Sequence, residues 1–213
     1  VNTPDARLAI FDVTATGLTL AAEVPVGLEP VAVAARTDDE VWVVNHLSDS
    51  VSIVRVDQTD VGRSRVVRTL LTCDEPRDVV FAGTGRSRAF VTVARRGQSC
   101  PVAFDPTTEG IGRALVQVFD ANALGSALGG TPIASLELFG DTPRALAATD
   151  DGSTVYAAVF QSGNGSTTIN QRVVSATGGL PPPPASALPN GPQVGLIVKQ
   201  SAQSRHHVYC EHH

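Results

Sequence analysis

The chain has 213 residues, of which 42% are hydrophobic and 17% charged, and its formal net charge is −5. This balance is typical of one sizeable globular domain and excludes a disordered chain. The negative charge and the absence of a basic run argue against a nucleic-acid partner. No apolar run approaches the roughly 20 residues of a membrane-spanning helix, so we expect no membrane span.

In chain order, the sequence is a succession of short apolar or alternating runs separated by polar turns, which predicts β-strands. RLAIFD (7–12) and LTLAAEVPV (18–26) come first. A unit of four runs then recurs. It starts with a proline-led run, continues with a second run and an alternating run near an aspartate, and ends with a fourth run. The turns carry Gly, Asp and Asn. The recurring segments are 29–36, 41–45, 50–57 and 65–71, then 75–82, 88–94, 114–120 and 132–139, then 142–149, 154–160 and a degenerate 193–199.

Four antiparallel strands in a unit of about 45 residues are typical of a β-propeller blade. The frame formed by Pro30, a polar turn and VWVVNHLSDSVSIVRVD (41–57) resembles the YVTN-type β-propeller repeat, and this resemblance covers most of residues 7–160. It implies an all-β propeller of four-stranded antiparallel blades within residues 1–200. The C and D strands of a half blade precede two whole blades and an A–B–C portion, which makes three to three and a half blades.

That number of blades is too small for a closed ring, because propellers close with about 4–8 blades. Two alternatives stay open. Two copies could form a homodimer that closes a six- or seven-bladed ring, each completing the split blade of the other. Alternatively, the chain is a fragment of a longer propeller, and something outside this sequence completes it.

Two insertions, 95–113 and 161–192, occupy the same place between the second and third strands of their units, which predicts that both lie on one face. They could form a binding rim for a small-molecule ligand or be surface decoration. The tail, 201–213, departs from the repeat and ends in HHVYCEHH (206–213). Its histidines could bind transition metals adventitiously, and the tail could be non-native.

The segment Glu75-Pro76-Arg77-Asp78 could be an active site or simply the start of a repeated strand. Such strand starts rim the central channel, where propellers usually bind ligands, and acidic residues lie at or near each of them. Oxygen-rich groups of this kind suit Ca²⁺. We therefore predict a Ca²⁺ site at the channel mouth whose ligands are Glu29, Asn45, Glu75 and Asp141.

Catalytic groups are predicted on the same face. His46 lies beyond the second strand of the first whole unit and is the simplest candidate for a general base near neutral pH. We predict catalytic roles for His46, Asp49 and Asp78, and substrate binding by Arg77 and Arg144. The alternatives are that Asn45 and Asp49 cap a turn, that His46 decorates the rim, and that the two arginines pair with nearby acids.

The resemblance implies two classes of function. Some propellers of this kind look like lactonases in which a channel-bound Ca²⁺ activates water, and others look like non-catalytic exported or surface binding proteins. We favour a hydrolase that opens a lactone or ester ring, with N-acyl-homoserine-lactone-type molecules as candidate substrates, because of the acidic rim, His46 and the one-sided insertions. No serine-hydrolase elbow or phosphate loop is present. We expect an exported protein, periplasmic or extracellular, in which Cys73 and Cys100 form a disulfide or stay two free thiols.

Overall fold

The computed structural model describes residues 1, 3–95, 100, 114–138, 140 and 142–160, and the backbone of three later strands within 166–211. The described residues form strands and turns, with two short 3₁₀ segments, Val61–Arg63 and Thr84–Arg86, and no α-helix. No helix in this part of the chain is long and apolar enough to cross a bilayer. The fold class predicted from the sequence, an all-β partial propeller, is confirmed.

Two complete four-stranded antiparallel blades stand at the centre of the structure, each with its strands in sequence order. The first blade consists of β3 (Pro30–Ala35), β4 (Glu40–Asn45), β5 (Ser50–Arg55) and β6 (Arg65–Leu71). The second blade consists of β7 (Asp74–Ala82), β8 (Arg88–Arg95), β9 (Ala114–Asp120) and β10 (Ala134–Leu138).

A two-stranded sheet lies on each side of these blades. The leading hairpin, β1 (Arg7–Thr14) and β2 (Gly17–Pro25), packs against the first blade, where Leu8 and Val24 join Val43 and Val54 in one buried cluster. The trailing pair, β11 (Pro143–Ala148) and β12 (Val155–Val159), packs through β11 on β7 of the second blade.

The strand pairing of segment 193–199 differs from the sequence prediction. Segment 193–199 was expected to continue the unit of β11 and β12. Instead β14 (Leu196–Gln200) pairs with β13 (Ser166–Ile169) on one side and β15 (Val208–Glu211) on the other, in a separate three-stranded sheet. One strand of this sheet therefore lies within the tail. The insertion 95–113 lies outside the described residues except Arg95 and Cys100, and 161–192 does so except β13.

The core lies between the two blades because their middle strands are apolar on both faces. Trp42 and Phe119 are fully buried there, and the ring of Phe81 meets the Trp42 ring edge to face with centroids 5.2 Å apart. Trp42 also satisfies its indole N–H, which donates to Glu40 Oε1 at 2.8 Å. Strands covered on both faces read as continuous apolar runs, and VWVV in β4 is such a run.

Candidate functional site

The innermost strands β3, β7 and β11 begin with the same backbone feature. The residue before each starting proline has a left-handed backbone, with φ of 54° at Glu29, 56° at Glu75 and 52° at Thr142. This conformation is uncommon outside glycine. Hydrogen bonds hold it at Glu29 and at Thr142: His46 N donates to Glu29 O at 2.9 Å, and Phe160 N donates to Thr142 O at 3.1 Å. We call the face formed by these strand starts and the adjoining turn 45–49 the rim.

Each innermost strand also carries one extra residue directly after its proline. The pairing register shifts between Pro30 and Ala32, between Pro76 and Val79, and between Pro143 and Ala145. An extra residue of this kind is a β-bulge, which redirects a side chain and is common beside binding sites. Val31, Arg77 and Arg144 follow these three prolines. The two arginines predicted to bind substrate therefore lie at equivalent bulges of neighbouring strands.

Asn45 lies beneath the rim, not on its surface. Its side chain is fully buried, and its Nδ2 donates to the Oγ atoms of Ser50 at 3.2 Å and Ser52 at 2.9 Å. A Cβ on Gly27 would come within 2.6 Å of the Asn45 amide, so the chain before β3 packs directly against it. These contacts give the Asn45 amide group a structural role, and both metal binding and turn capping by Asn45 stay predictions.

Asp49 joins the first blade to the start of the second. Its backbone has a φ of 45°, its Oδ1 accepts a hydrogen bond from Glu75 N at 2.8 Å, and its carbonyl oxygen accepts one from Thr72 N at 2.9 Å. The contacts give this carboxylate a structural role. Its catalytic role stays a prediction.

Asp78 joins the second blade to the trailing pair. Its Oδ1 accepts a hydrogen bond from Val79 N at 2.9 Å, and its Oδ2 accepts one from Leu146 N at 2.7 Å. Its own N–H donates to Thr92 Oγ1 at 2.9 Å. Both carboxylate oxygens therefore serve the backbone of two adjacent strands, and a catalytic role for Asp78 also stays a prediction.

His46 is half-buried at the rim and reaches from the first blade to the second. Its Nδ1 lies 3.3 Å from the carbonyl oxygen of Pro76. A carbonyl oxygen only accepts, so in this contact Nδ1 carries the hydrogen, and the neutral ring keeps its lone pair on Nε2. The contact therefore favours the tautomer with the hydrogen on Nδ1.

Arg77 follows Pro76, and its contacts with the described residues occupy only part of the hydrogen-bonding capacity of its guanidinium group. Its Nη2 lies 3.7 Å from Glu75 Oε2, and its side chain is 27% exposed. Its Nε is buried, and the described residues offer that atom no hydrogen-bond partner. A buried donor without a partner is costly, so this atom is suited to a ligand acceptor. The pairing with an acid that was predicted as the alternative therefore involves Nη2 of the guanidinium group and not Nε.

Arg144 has a different environment, because its guanidinium carbon lies over the Phe160 ring, 5.1 Å from the ring centroid. This is a cation–π contact. Substrate binding by Arg144 and its alternative, pairing with an acid, both stay predictions. Phe160 was not identified from the sequence as a rim residue. The repeat itself could have found it, because Pro30 pairs with Asn45 as Pro143 pairs with Val159, which aligns His46 with Phe160.

The predicted Ca²⁺ ligands are only partly described by the structure. No three His, Cys, Asp or Glu side chains among the described residues form a group able to hold a metal. Glu29 lies just before β3, Glu75 lies in β7 and Asn45 is buried, while Asp141 lies outside the described residues. Ca²⁺ binding by these four residues stays a prediction.

A disulfide joins Cys73 and Cys100, which decides between the two alternatives left open by the sequence. Cys73 is fully buried with Val93 and Leu115, and its N–H donates to Gln117 Oε1 at 3.1 Å. Because Cys73 lies just before β7, the bond ties residue 100 of the insertion to the same end of the blade as the rim.

Comparisons with known proteins bear on the fold. No protein-family model and no curated protein matches the chain, so membership of the YVTN family stays a prediction. Among solved structures, the chain is similar to Kuenenia stuttgartiensis hydrazine synthase, with 21% identity, a TM-score of 0.52, and 76% of this chain and 39% of that chain covered. It is also similar to a Bacteroides uniformis protein named as a candidate 6-phosphogluconolactonase, with 12% identity, a TM-score of 0.53, and 100% and 49% covered.

A third similar structure is a functionally unknown protein from Desulfotomaculum acetoxidans, with 14% identity and a TM-score of 0.53, and 74% of this chain and 45% of that chain covered. The chain thus spans less than half the length of each of these three proteins. Similarity at these identities concerns the fold alone, and it agrees with the partial propeller described above.

Proposed function

We propose that the rim binds a lactone or ester and hydrolyses it, with His46 as general base and Arg77 as the cationic group that holds the reacting oxygen. The observation that supports this proposal is the contact between His46 Nδ1 and Pro76 O, which brings the His46 ring beside the bulge that contains Arg77. The Bacteroides uniformis neighbour, named as a candidate lactonase, adds a reason to test lactones first.

In the proposed reaction, His46 Nε2 removes a proton from water while the water oxygen attacks the carbonyl carbon. The carbonyl becomes an oxyanion, to which a guanidinium N–H of Arg77 donates. The ring C–O bond then breaks, and the alkoxide that leaves receives the proton from His46. The product is a hydroxy acid, which releases its carboxyl proton to solvent, and the resulting carboxylate stays opposite Arg77. N-acyl-homoserine lactones are one substrate class with this chemistry.

Ca²⁺ stays part of the hypothesis as a separate question. A rim Ca²⁺ would supply a Lewis acid for the carbonyl, and Glu29, Glu75 and Asp141 are the acidic residues that would hold it. The His46 and Arg77 roles do not depend on it. A chelator that abolishes turnover, restored by Ca²⁺ and not by Mg²⁺, would support the ion.

A competing function is binding without turnover at the same rim. The structural use of Asp49 and Asp78 favours it, because both carboxylates predicted to be catalytic accept backbone hydrogen bonds. In that case Arg77 and Arg144 would hold an anionic ligand, and no water would be activated.

The deciding experiment is turnover of a panel of lactones and aryl esters by the wild type and by His46→Asn, which keeps an N–H donor and lacks a proton acceptor at Nε2. We expect kcat to fall by about 10²-fold or more. Arg77→Gln should also lower kcat, because it removes the cationic donor to the oxyanion. Arg63→Gln, a change at an exposed residue paired with Asp60, serves as the control. Wild-type turnover that His46→Asn leaves unchanged would overturn the mechanism, and ligand binding without turnover would favour the competing function.

We also propose export to an oxidising compartment. The support is the Cys73–Cys100 disulfide, since such bonds persist mainly outside the cytosol. Thiol labelling of the protein recovered from its native compartment, with and without reduction, tests this: protected Cys73 and Cys100 agree with export, and two reactive thiols contradict it.

A further inference from the structure

Glu75 and Thr142 hold equivalent places before β7 and β11, but different groups accept their backbone N–H. At the junction of the second blade with the trailing pair, Thr142 N donates to the carbonyl oxygen of Ala94 at 3.2 Å. At the junction of the first blade with the second, Glu75 N donates to a side-chain oxygen, Asp49 Oδ1, at 2.8 Å. A carboxylate therefore takes the place of a backbone acceptor at the junction that contains His46.

The strand register shows that His46 takes part in the same difference. Ala94 and His46 are equivalent, because each follows the residue that pairs with the starting proline of its blade. Ala94 reaches the next innermost strand with its backbone oxygen, whereas His46 does so with its ring, whose Nδ1 lies 3.3 Å from Pro76 O. The first junction thus holds the start of β7 with two side chains, the His46 ring and the Asp49 carboxylate.

Asp49 binds the chain on both sides of Cys73. Its carbonyl oxygen accepts a hydrogen bond from Thr72 N at 2.9 Å, and its Oδ1 accepts the one from Glu75 N. Between these two contacts, Cys73 N donates to Gln117 Oε1 at 3.1 Å. The backbone that leads into the rim is therefore fixed by hydrogen bonds that end on Asp49 and on the second blade.

The bond to Asp49 supports a backbone conformation that is otherwise unfavourable. Glu75 has a φ of 56°, and a non-glycine residue keeps such a conformation only where its surroundings hold it. An ionised acceptor gives a stronger hydrogen bond to an N–H than a neutral carbonyl oxygen does. Asp49 itself has a φ of 45°, a region that Asp and Asn adopt more readily than other non-glycine residues.

We propose that Asp49 is a positioning residue of the rim, whose Oδ1 fixes the backbone of Glu75. Through that backbone it places Pro76 O against the ring of His46 and sets the position of Arg77. In this role Asp49 does not touch the substrate, which differs from the catalytic role predicted from the sequence. Its effect on turnover rests on the proposed function, whereas its effect on the backbone and on the His46 ring does not.

Three substitutions of Asp49 separate the position of its oxygen from its charge. Asp49→Asn keeps an oxygen in the same place and loses the charge. Asp49→Gly tolerates the positive φ and loses the oxygen. Asp49→Glu keeps the charge and moves the oxygens by one methylene group. Asp60→Asn, at an exposed carboxylate paired with Arg63, is the matched control for the loss of one negative charge.

Amide hydrogen exchange is the first measurement. We expect the Glu75 amide to exchange about tenfold faster or more in Asp49→Gly and Asp49→Glu, and to change by less than about threefold in Asp49→Asn and in the control. The Thr142 amide, which the backbone binds, should be unchanged in all of them. Fluorescence of Trp42, the one tryptophan of the chain, verifies that each variant is folded.

The ¹⁵N shifts of the His46 ring are the second measurement, because they report which ring nitrogen carries the hydrogen. The ring signals are identified by their loss in His46→Asn. We expect them to change in Asp49→Gly and Asp49→Glu and to keep their wild-type values in Asp49→Asn. Where the wild type hydrolyses a lactone, kcat should follow the same order, with a loss of about tenfold or more in the first two variants and near-complete rescue by Asn.

Two results would overturn the proposal. One is an unchanged exchange rate of the Glu75 amide in a folded Asp49→Gly variant. The other is a loss of kcat in Asp49→Asn as large as in Asp49→Gly while the Glu75 amide stays protected, which would make the charge of Asp49 catalytic. A wild type without lactone turnover would contradict the proposed function alone, since the exchange rates and the ring shifts would still decide the role of Asp49.

Discussion

The first blade and the trailing pair share the same strand frame but differ in what covers it. In the first blade, Trp42 of β4 is enclosed by β3, β5 and the ring of Phe81 from the second blade. In the trailing pair, Tyr156 occupies the same position of β12 and is mostly exposed. The comparison teaches that the strand pattern sets which residues face a neighbouring blade, while the presence of that blade sets whether they are buried.

The largest expected effect is on the free energy of unfolding when the two aromatic residues are truncated. Trp42→Ala should destabilise the chain by about 3–5 kcal/mol, because it leaves a cavity in the inter-blade core and removes the indole N–H that donates to Glu40. Tyr156→Ala, the matched variant, should cost less than about 1 kcal/mol in dilute solution. Urea unfolding followed by circular dichroism measures both, and equal losses would contradict the comparison.

A smaller loss of stability is expected when the side chain of Asp78, which connects the second blade to the trailing pair, is removed. Asp78→Ala removes the acceptor of Leu146 N and should cost about 1–3 kcal/mol. The loss should appear as faster hydrogen exchange of β11 without a comparable change in β4. Arg63→Ala, which breaks an exposed ion pair, is the control and should leave both strands unchanged. An equal increase of the hydrogen-exchange rates in β11 and β4 would argue against a local role for Asp78.

The smallest expected effect is a change of Tm, and it comes from Asp151 in the turn between β11 and β12. The hydroxyl of Thr149, and then the backbone N–H of Ser153, lower the pKa of Asp151 from 3.8 to about 2. A lowered folded pKa means that the ionised carboxylate stabilises the fold above pH 3.8 and that this contribution fades as pH falls toward 2. We expect Asp151→Asn to lower the Tm slightly at neutral pH and the gap to the wild type to close in that acid window. A gap independent of pH would show that the carboxylate charge does not matter.

Most of the fold was predictable because it rests on local patterns. β6 and β9 lie at the predicted residues 65–71 and 114–120, and the polar turns fall where Gly and Asp marked them. The pairing of β14 was not predictable, because its short apolar run carries no information on which strand it meets. The bulges after Pro30, Pro76 and Pro143 were also missed, since a one-residue register shift leaves no mark on composition.

The neighbourhood of the candidate residues was predictable from the repeat, whereas their roles stay predictions. The repeat located Arg77 near the start of an innermost strand and His46 in the turn beyond β4, and the structure brings the two segments together through Pro76 O. Sequence alone did not show that Asn45 is buried or that Asp78 reaches β11, because both depend on which backbone N–H groups and hydroxyls surround them in the fold. The sequence alone likewise did not show the Arg144–Phe160 contact, because that contact depends on the bulge after Pro143.

The most direct test of the central comparison is hydrogen exchange of the wild type measured residue by residue. Amides of β4 and β5 should exchange slowly, because both strands lie inside a four-stranded blade. The amides of Tyr156 and Ala157 in β12 should exchange faster than those of Trp42 and Val43 at the equivalent positions of β4, because Tyr156 is mostly exposed and Trp42 is buried. Equal exchange rates in β4 and β12 would contradict the account that a neighbouring blade decides how well the shared strand frame is covered.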